Sequence, residues 1–144
     1  YYRDKNNYCD SVELAQEVMD IIRIEMEKAE CPQGCQLMHS ISGGTGSGFG
    51  AAMLCQMKDN YPDKITVSHS VLHSTKIFDA SCYSGVEPYN SVLSMNHLMN
   101  PDVCDQTFIY DNEALYNISQ TVLKIQEPKY SDLNFIIANV MNVA

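Results

Sequence analysis

The sequence predicts a doubly wound α/β fold, with a mostly parallel sheet and helices on both of its faces. Segments with helical apolar spacing alternate with short strand-like segments in the order α-β-α-β-α-β-α-α, and this alternation is typical of parallel sheets covered by helices. A glycine-rich run at 43–48 also lies between a strand-like and a helix-like segment. Strand, glycine turn and helix in that order are typical of phosphate-binding α/β proteins.

The first half of the chain supplies two predicted helices and one strand. Asp10 and Glu13 form a capping box for a helix from 10 to 28 with apolar residues at helical spacing. A strand is predicted from 35 to 41, and a second helix from 47 to 60 ends at the Tyr61-Pro62-Asp63 stop signal.

The second half repeats the alternation. Apolar and polar residues alternate from 65 to 73, which predicts a strand, and a polar loop follows from 74 to 85. Pro88 suits the first turn of a helix that continues to Leu98. A short strand is predicted from 107 to 110, Asp111 caps the next helix, and Ser131 opens the last one after Pro128.

Composition narrows the classes of function. The 144 residues fit one globular domain, with 45% hydrophobic and 19% charged residues. The net charge of −9 opposes binding to a nucleic-acid backbone, so we expect no polynucleotide partner. No apolar run approaches the length of a membrane span, so we expect no membrane partner. We expect the six scattered cysteines to be free thiols in a reducing cytosol.

The glycine run is the main candidate site, and it consists of Gly43, Gly44, Thr45, Gly46, Ser47 and Gly48. Glycines allow positive φ angles and let backbone N–H groups approach an anion, while the following helix points its positive end there. Thr45 and Ser47 add hydroxyl donors. A flexible linker is the alternative, but such linkers need no ordered elements on either side.

Ligands of doubly wound sheets bind at the carboxyl ends of the strands, so the loops after the second and third strands are further candidates. Asp79 and Glu87 could accept hydrogen bonds from ribose hydroxyls, and Asn112 could read a base edge. Each carboxylate taken alone is more often a solvated loop charge. The spacing of these residues in the sequence does not identify the ligand. A dinucleotide oxidoreductase is disfavoured because no acidic residue ends a second strand about 20 residues after the glycine run. His39 and His69 are expected as neighbours on adjacent strands, where core packing is favoured over metal binding.

Four motifs stand out along the chain: the 36–40 segment leading into the glycine run, Val86-Glu87-Pro88-Tyr89-Asn90, the run from Asp111 to Tyr116, and Tyr130-Ser131-Asp132-Leu133-Asn134. These motifs resemble the tubulin family, and its β-type members more than others. The resemblance implies that the chain is the central and C-terminal part of a GTP-binding domain, 1–144, without its N-terminal strand and without the second domain.

The resemblance also implies roles for individual residues. Gly43 to Gly48, with Ser42 before them, are expected to wrap the α- and β-phosphates of GTP or GDP, and Asp79 and Glu87 to contact the ribose. Asn112 and Asn134 would read guanine, and Tyr130 would stack on the base, with core packing as the alternative for Tyr130. Mg²⁺ would bind phosphate oxygens, so we assign no metal ligand and no catalytic residue.

At the level of the whole protein, the resemblance implies a cytoskeletal subunit in the cytoplasm. It would pair with an α-tubulin-like subunit and with further subunits in a microtubule, hold nucleotide at a longitudinal interface, and hydrolyse it on assembly. Some positions depart from the family pattern: Ser42 replaces a glycine, the 1–4 segment differs, and the 79–87 loop and the segment before Asp111 carry insertions. These departures leave an alternative open, a divergent member that keeps the fold for protein interaction without nucleotide turnover.

Overall fold

The computed structural model describes residues 5–73 and 85–142, with side chains from residue 13 onward. Within this part the chain forms five α-helices, three strands and one short π-helix. In chain order these are α1 (Lys5–Lys28), β1 (Gly34–Ser40), the π-turn (Thr45–Phe49), α2 (Gly50–Asn60), β2 (Ile65–Leu72), α3 (Glu87–Leu98), β3 (Gln106–Asp111), α4 (Asn112–Thr121) and α5 (Tyr130–Met141).

The three strands form a parallel sheet in the order β1-β2-β3. Ser40 is opposite Val71, and Val71 is opposite Tyr110, so the strands end at the same level. Each strand is joined to the next by a helical crossover, α2 between β1 and β2 and α3 between β2 and β3. Parallel pairs require such crossovers, and the predicted alternation of strands and helices is therefore confirmed.

Two apolar clusters cover the two faces of the sheet. One face packs against α2 and α3 through Ile41, Leu54, Leu98 and Val103. The other packs against α4 and α5 through a cluster of Tyr110, Leu115 and Leu133. Helices on both faces define the doubly wound class, and the predicted fold class is confirmed.

The polar residues of β2 are buried. The alternation along β2 is present in the sequence, but Thr66, Ser68 and Ser70 are no more exposed than Val67 and His69. The reason is that β2 is the central strand, with helices packed on both of its faces. Its serine hydroxyls therefore need hydrogen-bond partners inside the protein.

The two strand histidines lie on opposite faces of the sheet. His69 pairs in register with Met38, so successive side chains place His39 and His69 on different sides. His69 Nδ1 lies 2.8 Å from the Tyr110 hydroxyl and its ring stacks on Phe108. Burial raises the pKa of Tyr110. The two histidines therefore lie on adjacent strands, as expected, but they are not side-chain neighbours because they point to opposite faces of the sheet.

The beginnings of two helices differ from the prediction. α1 begins at Lys5, so Asp10 lies inside the helix and the predicted capping box is wrong. Nothing between 5 and 10 interrupts a helix, since this stretch has no glycine or proline. α5 begins at Tyr130, where the Asp132 carboxylate accepts a hydrogen bond of 2.8 Å from the Lys129 N–H, so Ser131 is not its cap.

An ion pair joins α2 to the amino end of β3. Lys58 Nζ lies 2.8 Å from both carboxylate oxygens of Asp105, and the Thr66 N–H donates to the same carboxylate. The hydrogen bond from Lys58, followed by the one from Thr66, lowers the pKa of Asp105. This ion pair fixes the end of the sheet opposite to the candidate site.

Candidate functional site

The loops that follow the three strands lie at one edge of the sheet. β1 leads into the π-turn, β2 ends at Leu72 and β3 leads directly into α4. Because neighbouring strands are about 5 Å apart, the ends of β1 and β3 are separated by about 10 Å. The glycine turn and the first residue of α4 therefore belong to one carboxyl edge, where ligands of doubly wound folds bind.

Residues 43–49, called the glycine turn from here on, contain the glycine run and the π-turn. A π-helix is a rare conformation that is frequent at functional sites. Gly50 N–H donates to the Thr45 carbonyl, five residues back, and α2 continues directly from the turn. Gly44 precedes the π-turn in a helical conformation, φ −69° and ψ −55°, and no side chain caps this end among the described residues. Its backbone N–H groups are therefore suited to an anion.

The glycines of the turn serve two different purposes. A methyl group on Gly43 or Gly44 would meet no atom within 4 Å, so space is open beside their backbone. A methyl group on Gly46 would overlap the Ser40 carbonyl, and one on Gly50 would lie 2.9 Å from His39 Nδ1. Gly46 and Gly50 thus allow the turn to pack closely against β1.

The expectation that these glycines adopt positive φ is wrong, since no described glycine does so. The chain reverses here by entering a helix, which needs only negative φ. Close approach of backbone to backbone is the property of glycine that this turn uses.

Two serines of the predicted site make hydrogen bonds within the protein. Ser42 is buried, and its hydroxyl accepts from the His73 N–H at 3.2 Å and from Ser91 Oγ at 3.3 Å. The Ser47 hydroxyl donates to the carbonyls of Gly43 and Gly44. Their hydroxyls therefore brace the turn, whereas Thr45 is exposed.

Sequence reasoning did not assign His39 and Asn90 to the site. The His39 ring lies against the turn, with Nδ1 2.6 Å from the Gly46 carbonyl. Asn90 lies in the first turn of α3, and its Nδ2 donates a hydrogen bond of 3.2 Å to the Ser42 carbonyl. Side chains alternate between the two faces of β1, and this alternation places His39 on the face covered by α2. It is the signal in the sequence that could have indicated the contact between His39 and Gly46.

The predicted ribose contacts fall partly outside the described residues. Asp79 lies outside them. Glu87 is the first residue of α3 and is half-buried, with its carbonyl accepting a hydrogen bond from Ser91 Oγ at 2.9 Å. Glu87 is therefore close in sequence to Asn90 and Ser91, which hold the glycine turn, and its role toward ribose stays a prediction.

Asn112 is fixed at the edge by the capping of α4. The Asp111 carboxylate accepts a hydrogen bond of 2.9 Å from the Glu113 N–H, which confirms Asp111 as the cap. Asn112 follows as the first residue of the helix and is buried, with 9% of its surface exposed. A buried amide at the end of a strand can recognise a ligand through both its donor and its acceptor.

Tyr130 and Asn134 lie one turn apart on α5, and both are exposed. Leu133 packs with Leu115 of α4 and with Tyr110 near the end of β3. The first turns of α5 therefore approach the carboxyl edge beside α4. Tyr130 is 52% exposed, which does not support the alternative of a fully buried core residue.

A cleft of about 380 Å³ lies between the glycine turn, α2 and α3. Gly44, Ser47 and Gly48 line it on one side, and Asn90 and Ser94 line it on the other. Asn112, Tyr130 and Asn134 do not line this cleft. Among the described residues of the predicted site, this cleft therefore contains only part of the glycine turn, and the roles of Asn112, Tyr130 and Asn134 stay predictions.

A doubly wound domain with a glycine turn between its first strand and helix belongs to the class that includes nucleotide-binding domains. A family model described as Tubulin/FtsZ family, GTPase domain, matches residues 5–120. The chain therefore belongs to the Tubulin/FtsZ family.

Relatives support the same assignment. Over 138 residues the chain is 44% identical to the Tubulin beta-3 chain of Echinococcus multilocularis, 47% to the Tubulin beta-2 chain of Geotrichum candidum and 43% to the Tubulin beta-6 chain of Gallus gallus. Each match covers 96% of this chain and 29–30% of the relative. The predicted resemblance to β-type members is confirmed, and the chain spans about three-tenths of the length of these relatives.

Among the described residues, no helix has the length and apolar character needed to cross a membrane.

Proposed function

We propose that this chain binds a guanine nucleotide as part of a β-tubulin-like subunit of a cytoskeletal filament. The observation that carries the proposal is the glycine turn, which has no side-chain cap and leaves open space beside Gly43 and Gly44. Backbone N–H groups at a helix start favour phosphate without any lysine or arginine. An acidic chain can therefore hold a polyphosphate there.

The residues of the carboxyl edge fit the remaining parts of a guanine nucleotide. Guanine presents an acceptor at O6 and donors at N1 and N2, which the amides of Asn112 and Asn134 could match. The exposed ring of Tyr130 could stack on the base. Glu87 and Asp79 stand as proposed ribose contacts, and Mg²⁺ would bind through the phosphates, for which we name no protein ligand.

The subunit would pair with an α-tubulin-like partner and with further subunits of a microtubule in the cytoplasm. Nucleotide would lie at a longitudinal interface and be hydrolysed on assembly. These statements rest on family membership and on relatives named tubulin beta chains. The chain would supply nucleotide binding, and no residue of it is assigned to activating water.

The departure at Ser42 is compatible with nucleotide binding. Its side chain is buried between the turn and α3, so the serine need not extend into the space beside Gly43 and Gly44. This weakens one reason for the alternative of a member without nucleotide turnover.

Calorimetric titration of the purified whole protein with GTP, GDP and ATP tests the proposal. We expect GTP and GDP to bind at least about tenfold more tightly than ATP, because a mismatched base leaves the buried amide of Asn112 unpaired at a cost of about 1–3 kcal/mol. Asn112→Ala should reduce this preference without abolishing binding. Equal affinity for GTP and ATP would contradict guanine recognition, and absence of binding would contradict the proposed function.

A further inference from the structure

A cluster of three side chains beneath the glycine turn links it to the centre of the sheet. His39 on β1 faces Ser68 and Ser70 on β2, and both serines have no exposed surface. His39 Nε2 lies 3.0 Å from Ser68 Oγ and 2.9 Å from Ser70 Oγ, while the two hydroxyls are 2.8 Å apart. The opposite ring nitrogen, Nδ1, lies 2.6 Å from the Gly46 carbonyl.

The partners determine which ring nitrogen carries the hydrogen. A carbonyl oxygen can only accept, so His39 Nδ1 donates to Gly46. In the neutral ring Nε2 then accepts from one serine hydroxyl, and the other hydroxyl can donate to its neighbour. The serines thus hold the ring in the orientation that directs Nδ1–H at the turn.

The sequence of the turn leaves room for this ring. A methyl group on Gly50 would lie 2.9 Å from His39 Nδ1, so glycine at this position admits the imidazole. Gly46 lies against the Ser40 carbonyl with no space for a side chain. The turn therefore packs directly on the residues at the end of β1, and the His39 hydrogen bond fixes the direction of one of its carbonyls.

We infer that His39 is a positioning residue that orients the glycine turn for the phosphates of the nucleotide. A peptide unit held at its carbonyl also has its N–H direction fixed, since the unit is planar. His39 bonds the Gly46 carbonyl, and the Ser47 N–H of the same peptide unit donates to the Gly43 carbonyl at 3.3 Å. This one peptide unit therefore links the His39 ring to Gly43, beside which space is open. This inference rests on the proposed function and adds to it a residue that would act through the turn without contacting the ligand.

Two variants of similar size separate the two ends of the ring. The amide of asparagine reaches about as far as Nδ1, so His39→Asn keeps a donor for the Gly46 carbonyl. The amide of glutamine reaches about as far as Nε2, so His39→Gln keeps a partner for Ser68 and Ser70 and loses the contact with the turn. Both remove the ring, so thermal unfolding should report similar losses of stability.

The measurement compares GDP with guanosine for the wild-type whole protein and for both variants, by equilibrium competition. We expect His39→Gln to weaken GDP binding about five- to tenfold, which corresponds to one lost hydrogen bond, and to leave guanosine binding unchanged. His39→Asn should keep GDP binding within about twofold of wild type.

Three other results would overturn the inference. These are a His39→Gln protein that binds GDP like wild type, equal losses for GDP and guanosine, or equal losses of GDP affinity in both variants. The last two would indicate that His39 only supports the fold. If the wild-type protein bound neither ligand, the proposed function itself would fail, so the two failures are distinguishable.

Discussion

Alanine substitutions at Gly44 and Gly46 should have opposite effects on stability, although the two glycines belong to the same turn. Gly44 has helical backbone angles, φ −69° and ψ −55°, and a methyl group there would meet no atom within 4 Å. Gly44→Ala should therefore stabilise the protein by about 0.4–1 kcal/mol, because alanine restricts the unfolded chain. A methyl group on Gly46 would overlap the Ser40 carbonyl, so Gly46→Ala should destabilise by about 1–3 kcal/mol.

Urea and thermal unfolding of the two variants and of wild type measure these effects. For a domain of this size, 1 kcal/mol corresponds to about 2–4 °C in the melting temperature. The two variants should therefore melt at temperatures about 3–15 °C apart, with wild type between them. Each variant is the control for the other, since both add one methyl group to the same turn.

Nucleotide binding gives the second part of this prediction. If phosphates approach the open backbone at Gly44, Gly44→Ala should weaken GDP binding while raising the melting temperature. Equal destabilisation by both variants would contradict the geometry of the turn. Wild-type GDP affinity in Gly44→Ala would contradict the placement of the phosphates.

Three further predictions concern single contacts. Asp111→Ala should destabilise the protein by about 1 kcal/mol through loss of the α4 cap, and Asp111→Asn, which keeps an acceptor, should restore most of it; urea unfolding compares them. Ser42→Ala should cost about 1 kcal/mol in the same assay, because the His73 N–H and Ser91 lose their acceptor, and an unchanged midpoint would contradict this contact. Hydrogen bonds from Lys58 and then from Thr66 lower the pKa of Asp105 below its usual value, so wild type should exceed Asp105→Asn in stability at neutral pH. This difference should shrink as the pH falls below the usual carboxyl pKa and through the lowered pKa of the folded state, and a difference independent of pH from about 7 to 2 would contradict the assignment.

The sequence was sufficient to predict the order of the elements and the class of the sheet. Apolar periodicity, Pro62, Pro128 and the Asp111 cap separate strands from helices with few ambiguities, because each is a local effect on backbone conformation. Predicted helix boundaries were wrong where the same residue type occurs both as a helix cap and inside a helix. Asp10 resembles a cap but lies within a helix that no residue interrupts.

Tertiary packing decided the features that the sequence did not predict. The alternation along β2 predicts a strand but not the partners of its polar side chains, and in the structure Ser68 and Ser70 pair with His39. The glycine run was recognised correctly as a strand-to-helix turn, but the reason for its glycines was wrong. Contacts between Gly46 and Ser40 depend on how closely the turn packs on β1, which no local pattern reveals.

The candidate site was predictable as a set of loops and not as a cavity. Asn112 follows the end of β3 directly, so its place at the carboxyl edge follows from topology alone. The position of Tyr130 and Asn134 depends on how α5 packs on α4 through Leu133 and Leu115. Packing between helices is set by many side chains together, so the sequence supported their roles only through resemblance.

The central claim is that backbone N–H groups of the glycine turn hold the phosphates of a guanine nucleotide. Amide chemical-shift mapping of the ¹⁵N-labelled whole protein with GDP, and then with guanosine, tests it most directly. The largest shifts specific to GDP should fall on Gly43 to Gly48, while shifts common to both ligands should include Asn112. Shifts specific to GDP that leave the glycine turn unchanged and appear elsewhere in the chain would contradict the claim.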